Sequence, residues 1–412
     1  MDVRATTGSL DELDLFGPRF VGDPWPSFAE LRERAPVHHD QRTGLWLVSR
    51  HADVRAVLAD PDGFIPDNAL TAITPIPPPQ LRVLARARFS LPPTLANNGT
   101  DSHTGLRRLV AGYFTPGRVR DAEPRIRALA NDYLDRLPAT GSFDLVSGLA
   151  AELPCRVLLD LLGLTEVDLP VLKAWSAASL ELFWGRPDPD RHQALAEAAG
   201  EFHQWLAARI RAATPGSPDL FGQLAAHRAP GDRPLRIAEA VGVCYFLLIA
   251  GQETTSQLLS TLLHRLIPHA DLWPRLAAGE PGLADACVEE VLRREPPVNT
   301  WRRIAARPAT LSGVDVPRGA HLLLLLAGSG ADPDVFPDPE RFCPARPEVR
   351  RHLAFGHGRH FCLGAGLART EASVVLTEVA RRLPRLELLE AEPPMLGLLS
   401  FRAPLRVLAR RA

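Results

Sequence analysis

Over most of residues 103–294, apolar side chains recur at i, i+3 and i+4, the spacing of helices that bury one face against a core. The longest such stretch, residues 235–265, predicts a helix of about thirty residues and about 45 Å, enough to cross a large domain. A polar cluster, Gln252-Glu253-Thr254-Thr255, interrupts its apolar surface directly after Ala250-Gly251. Shorter helices are predicted at 26–34, 52–58 and about 365–383. Leu45-Trp46-Leu47-Val48 and residues 308–326 carry strand-like chemistry, and short strands are expected after about 383 to the end. Prolines rule out regular helix throughout 63–100 and 332–348. The pattern is that of a mainly α chain with a minor β region.

No Ser/Gly-rich linker, charge block or repeat divides the 412 residues, so one unit spanning 1–412 is expected. Its helix-rich core falls at about 103–294 and 350–383, and its β-rich parts at about 40–50, 308–326 and 385–412. Acidic and basic residues cancel to a formal net charge of -1, which argues against nucleic acid as a partner. Almost all positive charge is arginine, Lys173 being the only lysine, and this bias with abundant Ala and Pro suggests a GC-rich bacterial coding sequence. Residues 1–8 are polar, and the apolar runs Val241–Ala250 and Leu322–Ala327 are too short to span a bilayer. A soluble cytoplasmic protein without membrane contact is therefore expected. Cys155, Cys244, Cys287 and Cys343 are scattered without metal spacing and are expected to form no disulfides in a reducing compartment.

The densest chemical signal is Phe355-Gly356-His357-Gly358-Arg359-His360-Phe361-Cys362-Leu363-Gly364, which runs into a helical pattern at Ala365. One cysteine stands in a glycine-punctuated loop before a helix N-terminus, where backbone N–H groups and the helix dipole favour a thiolate. Phe355 can screen the sulfur from water, and Gly356, Gly358 and Gly364 let the backbone approach a flat ligand. A lone cysteine is more often a small buried apolar residue; the surrounding pattern instead suits a thiolate held against iron. This segment resembles the haem-ligand loop of the cytochrome P450 family in its bacterial form, and the resemblance covers essentially the whole chain. It implies the cytochrome P450 fold, a triangular helical domain enclosing haem b (iron protoporphyrin IX), with Cys362 as the thiolate ligand of the metal.

By the same resemblance, Ala250-Gly251-Gln252-Glu253-Thr254-Thr255 is the oxygen-activation motif. A gap in the helix beside Gly251 accommodates O2, Glu253 relays protons from solvent, and Thr254 hydrogen-bonds the oxygen. From the residues alone, the cluster is equally a helix distortion in which a threonine bonds the i−4 carbonyl. Glu290-Val291-Leu292-Arg293 sets acid and base at i, i+3. Alone this reads as a surface pair worth about 0.3 kcal/mol; by resemblance it forms a structural triad with Arg341 of Pro339-Glu340-Arg341-Phe342. His103 and Arg107 at i, i+4, Arg303 (or its neighbour Arg302) and His360 match the family's contacts to the haem propionates. Asn97-Asn98-Gly99-Thr100-Asp101-Ser102 and Ser329-Gly330-Ala331-Asp332-Pro333 depart from the family's pattern, which leaves the local fold and the redox-partner face open there.

The resemblance makes the chain an O2-dependent monooxygenase that hydroxylates or epoxidises a medium-sized organic molecule of bacterial secondary metabolism. Oxidative coupling without oxygen transfer is an alternative, and a non-catalytic haem binder is a third reading that the intact Glu253-Thr254 pair argues against. By family position the substrate region comprises the 64–98 loop, Phe183, Trp184, Phe246, Leu247, Ala250, Val298, Asn299 and the terminal turn containing Leu398. Each apolar member is equally a candidate for ordinary core packing. No flavin- or iron–sulfur-binding segment is present in the sequence, so a separate ferredoxin with its ferredoxin reductase is the expected electron donor. It would dock near Arg107, Arg108, Arg350, Arg351 and Arg359. The protein is expected to act as a monomer.

Overall fold

The computed structural model describes Leu10 and residues 13–411; the polar stretch 1–8 lies outside them. The long apolar pattern forms a single helix, Ile237–Leu266. At its start the Glu239 carboxylate accepts the Arg236 N–H at 2.9 Å, and Pro268 follows its end, where a ring without an N–H stops propagation. Most of its side chains are buried, as an element running through the middle of a large core requires. It is the one helix among the described residues long and apolar enough to cross a bilayer, but it lies mostly inside the protein. The helices Leu153–Leu162, Pro189–Ala212 and Ala365–Arg382 pack against it.

The long helix joins two parts of the core. Up to Ile249 its apolar residues cluster with Leu172, Phe202 and Trp184; from Leu258 onward they cluster with Ile126, Leu292 and Val375. The polar cluster predicted from the sequence falls between these two halves. The Pro-rich 63–100 stretch contains one helix, Pro78–Arg86, with prolines in its first turn, and this helix rests on Pro189–Ala212.

The larger sheet runs in the order Val37–Asp40, Leu45–Val48, His321–Leu324, Trp301–Ala305, Phe64–Ile65. Its pairs are antiparallel except Leu45–Val48 with His321–Leu324. In the strand Trp301–Ala305, Arg303 sits opposite Leu322 and Arg302 opposite Leu323. The period of two therefore puts Trp301 and Arg303 on one face and Arg302 on the other. A smaller sheet joins Leu386–Leu388, Leu408–Arg411 and Ser142–Asp144.

Candidate functional site

Where the long helix passes between the two halves of the core, it borders a cavity of about 1470 Å³, open mouth included. Cys362, Phe355, Gly356 and Gly364 line one part of it, and Ala250, Gly251 and Thr254 another. The two strongest motifs of the sequence thus meet in one space.

The cysteine loop is shaped by its own backbone. Cys362 N–H donates to the Phe355 carbonyl at 2.9 Å and Gly356 N–H to that of Leu353 at 2.8 Å. Gly356 takes φ +71°, a left-handed value that glycine adopts without strain. At Gly358 a Cβ would stand 2.8 Å from the Leu58 carbonyl oxygen, so the two segments approach as closely as they do only because it is absent. The helix Ala365–Arg382 starts directly after the loop, and the N–H groups of Gly364 and Ala365 bond the sulfur. Cys362 is exposed and lines the cavity. Burial pushes the Cys362 thiol up, and those N–H groups, Arg107 and Arg369 offset this only in part. The N–H groups at the helix N-terminus favour the thiolate, as expected, but by less than burial disfavours it; a bound metal, which replaces the proton, would tip the balance.

Beneath the loop, Glu290 and Arg293 are fully buried and bonded twice, both at 2.8 Å. Arg293 also donates to the carbonyls of Gly330 at 2.6 Å and Pro339 at 3.0 Å. The third member is not Arg341, which is exposed. It is Arg346, buried with its Nε 3.5 Å from Glu290 and its remaining donors on the carbonyls of Pro337, Asp338 and Arg341. Arg341 contributes only its backbone oxygen, because the meander turns its side chain outward and brings the later arginine in. A second network went unread in the sequence. Glu289 accepts from Arg369 at 2.5 Å and lies 3.0 Å from His352, which ties both flanks of the cysteine loop to the Leu283–Arg294 helix. Burial alone would raise the Glu289 carboxyl, but the bonds from His352 and Arg369 hold it down at about 2.

Arg107, Arg303 and His360 line one edge of the cavity, and His103 packs against His360. The two imidazoles lie 4.5 Å apart between ring centres, and Arg359 fixes His103 through a 3.2 Å bond to Nδ1. Arg107 donates to the Phe361 carbonyl at 2.5 Å, and Arg303 to that of Arg302 at 2.8 Å. Burial first, then the neighbouring cations, depresses His103 to about 4 and His360 to about 3; burial lowers Arg303 to about 10. Among the described residues no carboxylate offsets this group, and Nε2 of each histidine is buried without a partner. Such a cluster calls for anions. A flat group that places iron at Cys362 and two carboxylates at this edge fits it. Arg302 faces away, donating to the Ala69 carbonyl at 3.2 Å, which settles which of the two arginines belongs to the site.

On the long helix the threonine bonds the i−4 carbonyl, Thr254 Oγ1 donating to that of Ala250 at 2.7 Å, and it also lines the cavity. Glu253 points elsewhere, pairing at 2.6 Å with Lys173 on the Leu169–Trp184 helix and lining a second cavity of about 780 Å³. At Gly251 a Cβ would come within 2.9 Å of a Leu158 methyl, which would have to shift to make room.

A family model described as Cytochrome P450 matches residues 282–396. The cytochrome P450 monooxygenase PikC of Streptomyces venezuelae is 35% identical over 93% of this chain and 90% of its own length. The chain belongs to the cytochrome P450 family. The erythromycin C-12 hydroxylase of Saccharopolyspora erythraea is 36% identical over 86% of each chain. The solved structure of cytochrome P450 CREJ with (4-ethylphenyl) dihydrogen phosphate superimposes with a TM-score of 0.90 at 30% identity, over 95% of this chain and 98% of that one. The protein is a haem-thiolate monooxygenase that uses O2 as co-substrate.

In this P450 only part of the expected substrate region reaches the cavity. Phe246, Leu247, Ala250 and Val298 line it. Phe183 and Trp184 do not: they are buried one layer behind, Phe183 against Phe89 and Tyr245, Trp184 against Trp301 and Phe401. Asn299 is buried too, its N–H on the Ser400 carbonyl and its side chain off the cavity. Leu398 lines the second cavity instead. The wall also contains Leu95 and Ala96, which fall in the expected 64–98 loop, and Trp301 and Phe401, which sequence reasoning did not single out. Trp301 was findable, because it stands two residues before Arg303 on a strand; Phe401 reaches the site through an isolated bridge to Val298 and carried no signal.

Proposed function

We propose that Cys362 is the axial ligand of haem b, that His103, Arg107, Arg303 and His360 hold its propionates, and that the enzyme hydroxylates or epoxidises a medium-sized organic intermediate of secondary metabolism. The observation that carries this reading is the meeting of Cys362 and Thr254 on one largely apolar cavity with a cationic edge. Bound there, haem supplies the iron at which O2 is activated, and a thiolate ligand donates electron density that favours O–O cleavage. The Cys362 loop presents the sulfur rigidly, and the apolar wall excludes water. The Thr254 hydroxyl can leave the Ala250 carbonyl to pass a proton into the cavity. Glu253, one residue away and bordering the second cavity, takes protons from that side once Lys173 releases it.

Reduced holoprotein treated with carbon monoxide is expected to show the red-shifted Soret band of a thiolate-ligated haem, and Cys362→Ser to lose it. Thr254→Ala is expected to keep the band while diverting electrons from product to hydrogen peroxide. A Cys362→Ser protein with unchanged spectrum and turnover sinks the reading. The electron donor is an acidic ferredoxin, steered to the exposed Arg108, Arg350 and Arg351. Its reduction rate falls with added salt; a salt-independent rate rules out this docking face.

A further inference from the structure

Trp175, Trp184, Trp205, Trp301 and Tyr245 belong to one run of aromatic rings that starts at the main cavity. Trp301 lines the cavity, and its ring centre lies 6.3 Å from that of Trp184. Trp184 meets Phe183 at 5.8 Å, Phe183 meets Tyr245 at 6.5 Å, Tyr245 meets Phe202 at 4.6 Å and Phe202 meets Trp175 at 5.5 Å. Trp175 is half-buried and lies 5.7 Å from the equally half-buried Trp205. Each step is within the reach of packed rings, which by itself is ordinary core structure. The polar partners of the indoles and the phenol set this run apart.

Indole and phenol rings give up one electron more readily than most side chains, and more readily still where a neighbour can take the proton. Trp184 Nε1 is buried without a partner among the described residues, and the Arg302 guanidinium stands 6.0 Å from its ring centre. With no proton acceptor and a cation over its face, an oxidised Trp184 is destabilised, so an electron vacancy crosses it and does not rest there. Tyr245 donates its hydroxyl hydrogen to Ser179 Oγ at 2.6 Å, because that hydroxyl is itself committed to the Trp175 carbonyl at 2.7 Å. Ser179 is too weak a base to keep a proton, which makes Tyr245 a second transit point. Trp175 differs, since its Nε1–H donates at 3.3 Å to the exposed carboxylate of Glu201, which can take the proton as the electron leaves. Oxidation therefore becomes easier from the interior towards the surface.

We propose that this run of rings drains oxidising equivalents from the haem site to the surface when no substrate is in place to consume them. Each event moves one electron inward. Trp301 gives one to the oxidised haem group, Trp184 refills Trp301, Tyr245 refills Trp184 and Trp175 refills Tyr245. The Tyr245 proton shifts towards Ser179 and returns, while the Trp175 indole proton passes to Glu201. A small reductant in solution, a thiol or ascorbate, then restores Trp175 with one electron, and the proton comes back from Glu201. This protective activity goes beyond substrate oxidation and rests on the haem-thiolate reading above.

The test uses full-length holoprotein whose carbon monoxide band has first been recorded, so that a failure of the haem-thiolate reading is seen separately. Substrate-free protein is treated with hydrogen peroxide, which delivers oxidising equivalents without an electron donor. Electron paramagnetic resonance of freeze-quenched samples reads tryptophan radicals, peptide mass spectrometry locates oxidised tryptophan, and the Soret band follows haem loss. Oxidation is expected to collect at Trp175 and Trp205, and ascorbate to slow haem loss several-fold. Tyr245→Phe keeps the ring but removes the transit point. Loaded with haem, it is expected to lose most of the Trp175 label and of the ascorbate protection, with oxidation moving back to Trp184 and Trp301. Direct attack from solution would label Trp175 equally in both proteins. The proposal is overturned if wild-type protein shows no oxidation at Trp175, or if Tyr245→Phe matches it in label and protection. Should Tyr245→Phe not load haem, the Trp175→Phe/Trp205→Phe protein decides instead, and undiminished ascorbate protection there overturns the proposal.

Discussion

The region under the cysteine loop and the region over the long helix enclose the same cavity but are built by different means. Under the loop, Glu290 and Glu289 are buried carboxylates, each held by arginine, and their network reaches Arg346, His352 and Arg369. Over the helix, Phe89, Phe183, Trp184, Phe202 and Tyr245 pack ring on ring with centroids 4.6 to 6.5 Å apart. Charge-assisted bonds are directional and fail when an atom moves by an ångström, whereas apolar contacts tolerate exchange at similar volume. The ligand-bearing side is thus fixed in position, and the substrate side is free to differ in shape while the chain still folds.

The sharpest way to break this comparison is to unpair the network. Arg293→Met leaves the Glu290 carboxylate buried with its main partner gone, a loss of about 3–5 kcal/mol. The expected outcome is protein that melts early and carries little haem, read by thermal denaturation and the haem-to-protein absorbance ratio. Arg346→Ala removes a weaker contact and three carbonyl bonds, costing about 1–3 kcal/mol. Arg341→Ala, at an exposed position, stays within about 0.5 kcal/mol. If the last two change places, Arg341 belongs in the triad after all. Phe183→Leu in the aromatic region is expected to cost about 1–2 kcal/mol with full haem content. A Phe183→Leu protein as haem-poor as Arg293→Met would erase the distinction between the two regions.

The same contrast explains what was legible in the sequence. Cys362, Glu290 with Arg293, and Thr254 were picked out because the resemblance rests on short motifs a few residues long; read alone, Glu290 and Arg293 made a surface pair, and the fold buries them instead. The long helix was readable to within two residues at its start, since one pattern runs through Ile237–Leu266. Arg341 and Arg346 both lie in a Pro-rich meander, and only its path in space decides which one turns inward. Phe183 and Trp184 have the size and chemistry of pocket residues, but Trp301 and Phe401 come between Trp184 and the cavity, at centroid distances of 6.3 and 5.2 Å. Both of those arrive from chain segments far from residue 184. Leu95 and Ala96 face inward only because the asparagines after them bond back to Thr94, which no periodicity announces.

Acid provides the last, smaller test of the network under the loop. The Glu289 carboxyl titrates at about 2 in the folded protein against an ordinary 4.5. A carboxyl with a depressed folded value contributes stability that is present above pH 4.5 and is lost as pH falls from there towards 2. At about 1.4 kcal/mol per pH unit the loss is on the order of 3 kcal/mol. Glu289→Gln lacks this titration, so its stability starts lower at neutral pH but falls less steeply between those two values. The difference between the two proteins, followed by denaturant midpoint at successive pH values, is therefore expected to shrink on acidification. A difference that stays constant across that window would mean that Arg369 and His352 hold the loop without help from the Glu289 charge, and the ionic account of this region would have to give way to one based on packing.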